Sequence, residues 1–421
     1  MSLQGPMIVV AENPAADLVD ALSAAGVFPI VEAKWADAPT AFIAVKPTAV
    51  IIAEPGASPS EAAARMLCLQ IATASGIIVP VIARVHGNQE AAIPIALSAD
   101  AGLPVERLIA RLQSAMRVRA LHATVLRRIE TFAAHDGQLP PMPIGDALDE
   151  ATVLIAGRGP LYPKLSVAMG ERVKMLGALS VETAAKHLNA RDIDGIVVDD
   201  GFSPRMVEAF LTVLAQDTRY RDIPVAVVGE AAPEFAEVLP NIDHVDGDPA
   251  RLVARMVPLV RMHAFEARLK RMLKTLDTNG MFDPKTGLLT RDTFGDELEK
   301  AIEEAGDHGT ALCLGRFSFD GPLDQRASID GARLVTRLIR NIDFGCLDQD
   351  DSLLIAFTQT DIRSAHVVAR RIAGVIKNIM LMPQRAGDKV AANVTLAMLK
   401  AGDTADSLMR RAMGSQAVAA E

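Results

Sequence analysis

The chain has 421 residues, half of them apolar, enough to bury more than one core and to give an expectation of two to four domains. A net charge of -9 with one Trp and two Tyr argues against a nucleic-acid surface, because phosphate neutralisation needs clustered Lys and Arg. The cysteines Cys68, Cys313 and Cys346 have no metal-ligand spacing, and no run approaches the ~18 apolar residues that span a bilayer. A cytoplasmic protein without membrane insertion is therefore expected, with proteins or small molecules as its partners.

In chain order, the first segment supplies strand-like runs at Met7 to Val10, Ala49 to Ile52 and Val79 to Ala83, separated by amphipathic stretches. The turn formers of Ala134 to Gly145 read as a linker. A second segment then repeats the plan, with strands at Val153 to Ile155, Gly195 to Val198 and Val225 to Val228. Val and Ile runs alternating with helices predict α/β folding, with parallel strands buried on both faces. A helical run from about Pro249 to Leu276 follows, with Asn279-Gly280 as its stop. The resulting division is 7–125, a linker at 126–150, 151–278, and 279–421.

The third segment carries the informative motifs. Asp283-Pro-Lys-Thr-Gly-Leu-Leu-Thr-Arg291 is followed by Arg340-Asn-Ile-Asp343 and then by Gln349-Asp-Asp-Ser-Leu353. Together they resemble a degenerate GGDEF domain, of α+β nucleotidyl-cyclase-like fold. The two earlier segments resemble receiver domains, doubly wound and flavodoxin-like. The whole order resembles response regulators of the PleD and PopA type.

This resemblance implies specific losses. A receiver moves a phosphoryl group onto an Asp whose charge is neutralised by metal and lysine. Ala53, beside Glu54, matches the acceptor of the first copy, with Ala11 and Glu12 at the acid pair and Leu103 at the lysine. In the second copy Asp199 matches the phosphoacceptor, but Ala156-Gly157-Arg158, Gly229 and Asp248 replace its partners, so it is expected to be unused. In the cyclase-like domain Gly315 and Phe317 replace the metal-binding acids, Ser352 replaces a hairpin acid, Gln349 and Asp350 replace two glycines, and Leu323 most nearly matches the guanine-reading Asn. No cyclase activity and no metal are expected.

Arg340 and Asp343 match the family's Arg-x-x-Asp inhibitory site, where cyclic di-GMP is bound. A guanidinium suits bidentate contact with guanine O6 and N7, and a nearby carboxylate accepts from N1 and N2. Arg371 matches a secondary site arginine, and Arg172 the arginine that a PleD-like receiver offers to the same ligand. The resemblance implies an inactive cyclic di-GMP effector: a homodimeric adaptor at the cell pole, acting in cell-cycle signalling and in proteolysis by ClpXP. The alternative is a ligand-independent dimeric scaffold built on the receiver-like copies.

Overall fold

The computed structural model describes residues 3–53, 61–74, 76–85, 93–102, 104–135, 145–229, 235, 238–277, 280–319, 325–380 and 392–414. The chain divides into two compact units: Pro6–His122 with Pro143–Lys270, and Met1–Gly5 with Ala123–Met142 and Arg271–Glu421.

The first unit contains two parallel sheets. Its first half runs β1 (Gln4–Val10), α1 (Ala16–Ala24), β2 (Phe28–Ala33), α2 (Ala38–Val45), β3 (Ala49–Ile52), α3 (Glu61–Thr73), β4 (Val81–Val85), β5 (Leu97–Asp100) and α4 (Val105–Ala134). Its second half runs β6 (Thr152–Ala156), α5 (Tyr162–Gly170), β7 (Lys174–Ala178), α6 (Val181–Ala190), β8 (Gly195–Val198), α7 (Pro204–Gln216), β9 (Val225–Val228), β10 (Ile242–Val245) and α8 (Pro249–Asp277). The strand orders, β2-β1-β3-β4-β5 and β7-β6-β8-β9-β10, are both the flavodoxin-like doubly wound order. The expected strands at Ala49, Gly195 and Val225 are found with matching bounds, every residue of each buried. The strand expected from Val79 begins instead at Val81, because Pro80 has no N–H to give to the ladder.

The two sheets are joined within this unit by α4. Arg111, 3% exposed, donates from Nη2 to Asp243 Oδ1 (3.0 Å) and to the Ile242 carbonyl (3.2 Å), and from Nε to the Pro240 carbonyl (3.3 Å). It also donates to the Ser98 carbonyl on β5. Arg107 adds a bond to the Ile242 carbonyl (3.0 Å), and Asn241 donates to Ser114 (3.3 Å).

The second unit takes the end of α4 and then α9 (Arg291–His308), β11 (Leu312–Phe319), α10 (Gln325–Leu338), β12 (Phe344–Leu347), β13 (Leu353–Thr358), α11 (Ile362–Met380), β14 (Ala392–Met398) and α12 (Ala405–Gly414). The sheet order is β12-β13-β11-β14, all antiparallel. One face of this sheet packs on α9 and α12 through Phe294, Leu298, Leu408 and Ala412. The other packs on α10 and α11 through Ala332, Val335, Ala365 and Ile372. Residues 126–134, assigned above to the linker, instead continue α4, and Phe132 enters the α9 core beside Leu276. Residues 136–144 of the linker, together with Asn279, lie outside the described residues. Among the described residues no helix is long and apolar enough to cross a membrane.

Candidate ligand cleft and the motif positions

The Asp283 motif folds as a turn that anchors α9 to the sheet. Thr286 Oγ1 donates to Asp283 Oδ2 (2.9 Å), and Gly287 takes φ 73°, a left-handed conformation that favours glycine. The Leu289 N–H then donates to the Gly345 carbonyl of β12 (2.9 Å). Thr290 caps α9 by accepting from the Thr293 N–H.

Arg340 and Asp343 occupy the turn between α10 and β12. Arg340 donates from Nε to Asp343 Oδ2 (3.1 Å) and from Nη2 to Thr360 Oγ1 (2.6 Å). Asp343 Oδ1 accepts from the Thr358 N–H (3.1 Å), and the Thr360 hydroxyl donates to the Thr358 carbonyl (2.8 Å). The Arg340 side chain is 38% exposed but that of Asp343 only 1%. Burial pushes the Asp343 carboxyl up to about 6, against the opposing pull of Arg340 and of two backbone N–H donors. Asp343 thus holds Arg340 in place, with one carboxylate oxygen on Arg340 and the other on the Thr358 N–H.

A cleft of about 240 Å³ is lined by Arg340, Asp343, Thr360, Ser364, Val368 and Arg371, together with Leu338 and Gln359. Thus Arg340, Asp343 and Arg371 are brought together. Arg371 is exposed on α11, opposite the Ala365, Ala369 and Ile372 stripe that packs on the sheet. Arg172 belongs to the other unit, exposed just past α5, and is not among the residues lining the cleft. Thr360 was missed by sequence reasoning. Its only signal is the Thr358-Gln-Thr360 run before α11, which resembles any strand end.

The places of the expected metal acids are apolar. A Cβ at Gly315 would meet Phe357 at 3.0 Å and Leu396 at 3.1 Å, and Phe317 is fully buried in the same layer. In the hairpin turn Arg316 donates from Nε to Ser352 Oγ (3.2 Å) and is ion-paired to Asp350, while Arg291 is paired to Asp348. Asp351 takes φ 61° in that turn. Leu323 lies outside the described residues.

Asp199 is 1% exposed and is not an open acceptor. Its carboxylate accepts from the N–H groups of Gly159 (2.8 Å), Gly201 (2.9 Å) and Arg158 (3.3 Å). A Cβ at Gly157 would lie 2.0 Å from its Cγ, so only glycine admits the carboxylate. Gly229 sits at φ 119°, and Asp248 accepts from the Ala250 N–H (3.1 Å) at the start of α8. Ala11 and Ala53 are buried and Glu12 is exposed, whereas Glu54 and Leu103 lie outside the described residues. Asp199→Ala strands three N–H donors. It is expected to cost about 1–3 kcal/mol in urea unfolding, and acetyl phosphate should leave the intact chain unlabelled by mass spectrometry.

The chain is similar to several solved structures. These include the coiled coil and GGDEF domain of DgcB from Caulobacter crescentus in complex with c-di-GMP (20% identity, 35% of this chain and 85% of that chain, TM-score 0.29). Diguanylate cyclase SiaD in complex with its activator SiaC, from Pseudomonas aeruginosa, is another (21% identity, 35% and 63%, TM-score 0.30). A third is a putative response regulator from Chloroflexus aurantiacus (16% identity, 27% and 98%, TM-score 0.24). No family model matches the chain, and neither does any curated protein.

Proposed function

We propose that the chain is a catalytically inactive cyclic di-GMP effector of GGDEF type, binding the dinucleotide in the cleft of Arg340 and Arg371. The observation that carries this reading is the convergence of two motif-derived arginines, distant in sequence, on one cleft. Arg340 uses Nε and Nη2 on Asp343 and Thr360, which fixes its plane and leaves Nη1 for a guanine edge or a phosphate oxygen. Arg371 adds a second cation for the phosphodiester. The apolar packing around Gly315 and Phe317 supports the absence of cyclase chemistry, since a carboxylate there would be buried without a partner. By the resemblance stated above, the bound form serves as a homodimeric adaptor for ClpXP-dependent proteolysis at the cell pole.

A second reading is a ligand-independent scaffold. It is favoured by one observation: Arg340 already holds two partners, Asp343 and Thr360, without a ligand. Calorimetric titration of cyclic di-GMP into the full chain and into Arg340→Ala separates the two readings. Micromolar or tighter binding that is lost in the variant is expected, with no turnover of GTP and Mg²⁺. No heat from the folded wild type would leave the scaffold, and equal heats from both proteins would place the dinucleotide away from Arg340. Binding should also weaken as pH falls through about 6, because protonating Asp343 removes the charge that holds Arg340.

A further inference from the structure

Two helices of the second unit carry opposite, uncompensated charge rows. On α9 the exposed residues Asp292, Glu299, Glu303 and Asp307 fall on one stripe, opposite the buried Phe294, Leu298, Ala301 and Ala305. On α11 Arg363 and Arg370 flank the 70% exposed Val367 on one stripe, and its sequence holds no acidic residue at all. On α10, by contrast, exposed charges pair along the helix, Arg326 with Asp330 (3.9 Å) and Arg333 with Asp330 (3.8 Å). Among the described residues neither the four α9 acids nor these two arginines has an ion-pair partner. Like charges one turn apart, such as Glu299 with Glu303 and Glu303 with Asp307, repel. Arg363 in the first turn of α11 and Asp307 in the last turn of α9 also oppose their helix dipoles.

We propose that these rows are the two halves of one interface between copies of this chain, α11 of one docking antiparallel on α9 of the next. At about 1.5 Å rise per residue, Arg363 and Arg370 are about 10.5 Å apart and Glu299 and Asp307 about 12 Å apart. An antiparallel approach therefore sets Arg363 on Asp307 and Arg370 on Glu299, with Val367 against the Glu303 stem. It relieves both dipole conflicts and both like-charge rows. Because α9 and α11 cover opposite faces of the same sheet, a chain cannot make the contact with itself. The contact is heterologous and joins copies head to tail. Neither Arg363 nor Arg370 lines the ligand cleft, but Ser364, Val368 and Arg371 of the same helix do, so this interface borders the proposed ligand site.

Sedimentation velocity of the full chain over a concentration series tests this. The expected result is self-association that weakens roughly tenfold or more between about 0.01 M and about 1 M ionic strength. It should vanish in the folded Arg363→Glu/Arg370→Glu chain and in the folded Glu299→Lys/Asp307→Lys chain, and return when the two variants are mixed. A chain that stays monomeric at low salt, or association that survives either charge reversal, would overturn the interface.

Discussion

Glu297→Ala is expected to lower the stability of the second unit by about 3–5 kcal/mol, the usual cost of removing one partner from a buried ion pair. Glu297 on α9 is 0% exposed and accepts from Arg127 Nε (2.8 Å) and from Thr131 Oγ1 (3.0 Å). Arg128 Nε lies 3.5 Å from the same carboxylate. Burial alone would raise this carboxyl, but Arg128 and Arg127 outweigh it and hold the group below the ordinary carboxylate range. Its contribution is thus present above the ordinary glutamate range and is lost as pH falls through the depressed value. The two arginines are themselves buried, Arg127 over the Phe344 ring (5.3 Å) and Arg128 over that of Phe282 (5.1 Å). Removing Glu297 leaves Arg127 with Glu304 alone (2.6 Å) and Arg128 with Asp277 alone (3.3 Å) as counter-charge. Urea unfolding followed by circular dichroism reads the loss, and a shift below about 1 kcal/mol would mean the cluster relaxes into water. For the same reason a fragment starting at residue 279 should not fold stably, since it lacks Arg127, Thr131, Phe132 and Leu276 from that core.

Asp243→Ala is expected to cost a similar amount, about 3–5 kcal/mol, in the other unit. Asp243 and Arg111 have side chains 6% and 4% exposed, and Arg111 joins carbonyls of both sheets. Without Asp243 the guanidinium keeps its carbonyl bonds but has no counter-charge. Asp243→Asn should lose less, because an amide oxygen still accepts. Equal loss for both variants would show that charge and not hydrogen bonding decides; no loss for Asp243→Ala would show that the carbonyls alone hold Arg111.

The legible parts of the fold were those that burial dictates. β3, β8 and β9 are enclosed on both faces, so they had to read as Val and Ile runs. The edge strands β2 and β7 were missed because Phe28-Pro-Ile-Val-Glu-Ala33 and Lys174-Met-Leu-Gly-Ala178 are partly exposed and mix polar with apolar residues. The end of α4 was misassigned for a different reason. Arg127, Arg128 and Thr131 look like a solvated helix surface, and acids far along the chain, on α9 and at the end of α8, make their burial possible.

At the candidate site, the family resemblance selected Arg340 and Arg371, which share a cleft. It could not give the depth of Asp343 or the hydroxyl of Thr360, since both depend on how the end of β13 passes the α10–β12 turn. Asp199 shows the same limit in reverse. A strand-end aspartate signals an acceptor by position, yet three backbone N–H groups and a side-chain-free Gly157 turn it inward.

The most direct test of the central claim is amide hydrogen exchange of the full chain with and without cyclic di-GMP, resolved by peptide. The account predicts slowed exchange confined to the cleft, at residues 338–343, 358–364 and 368–371, and no change with GTP. No protection at saturating dinucleotide, or protection that leaves these segments untouched, would contradict it.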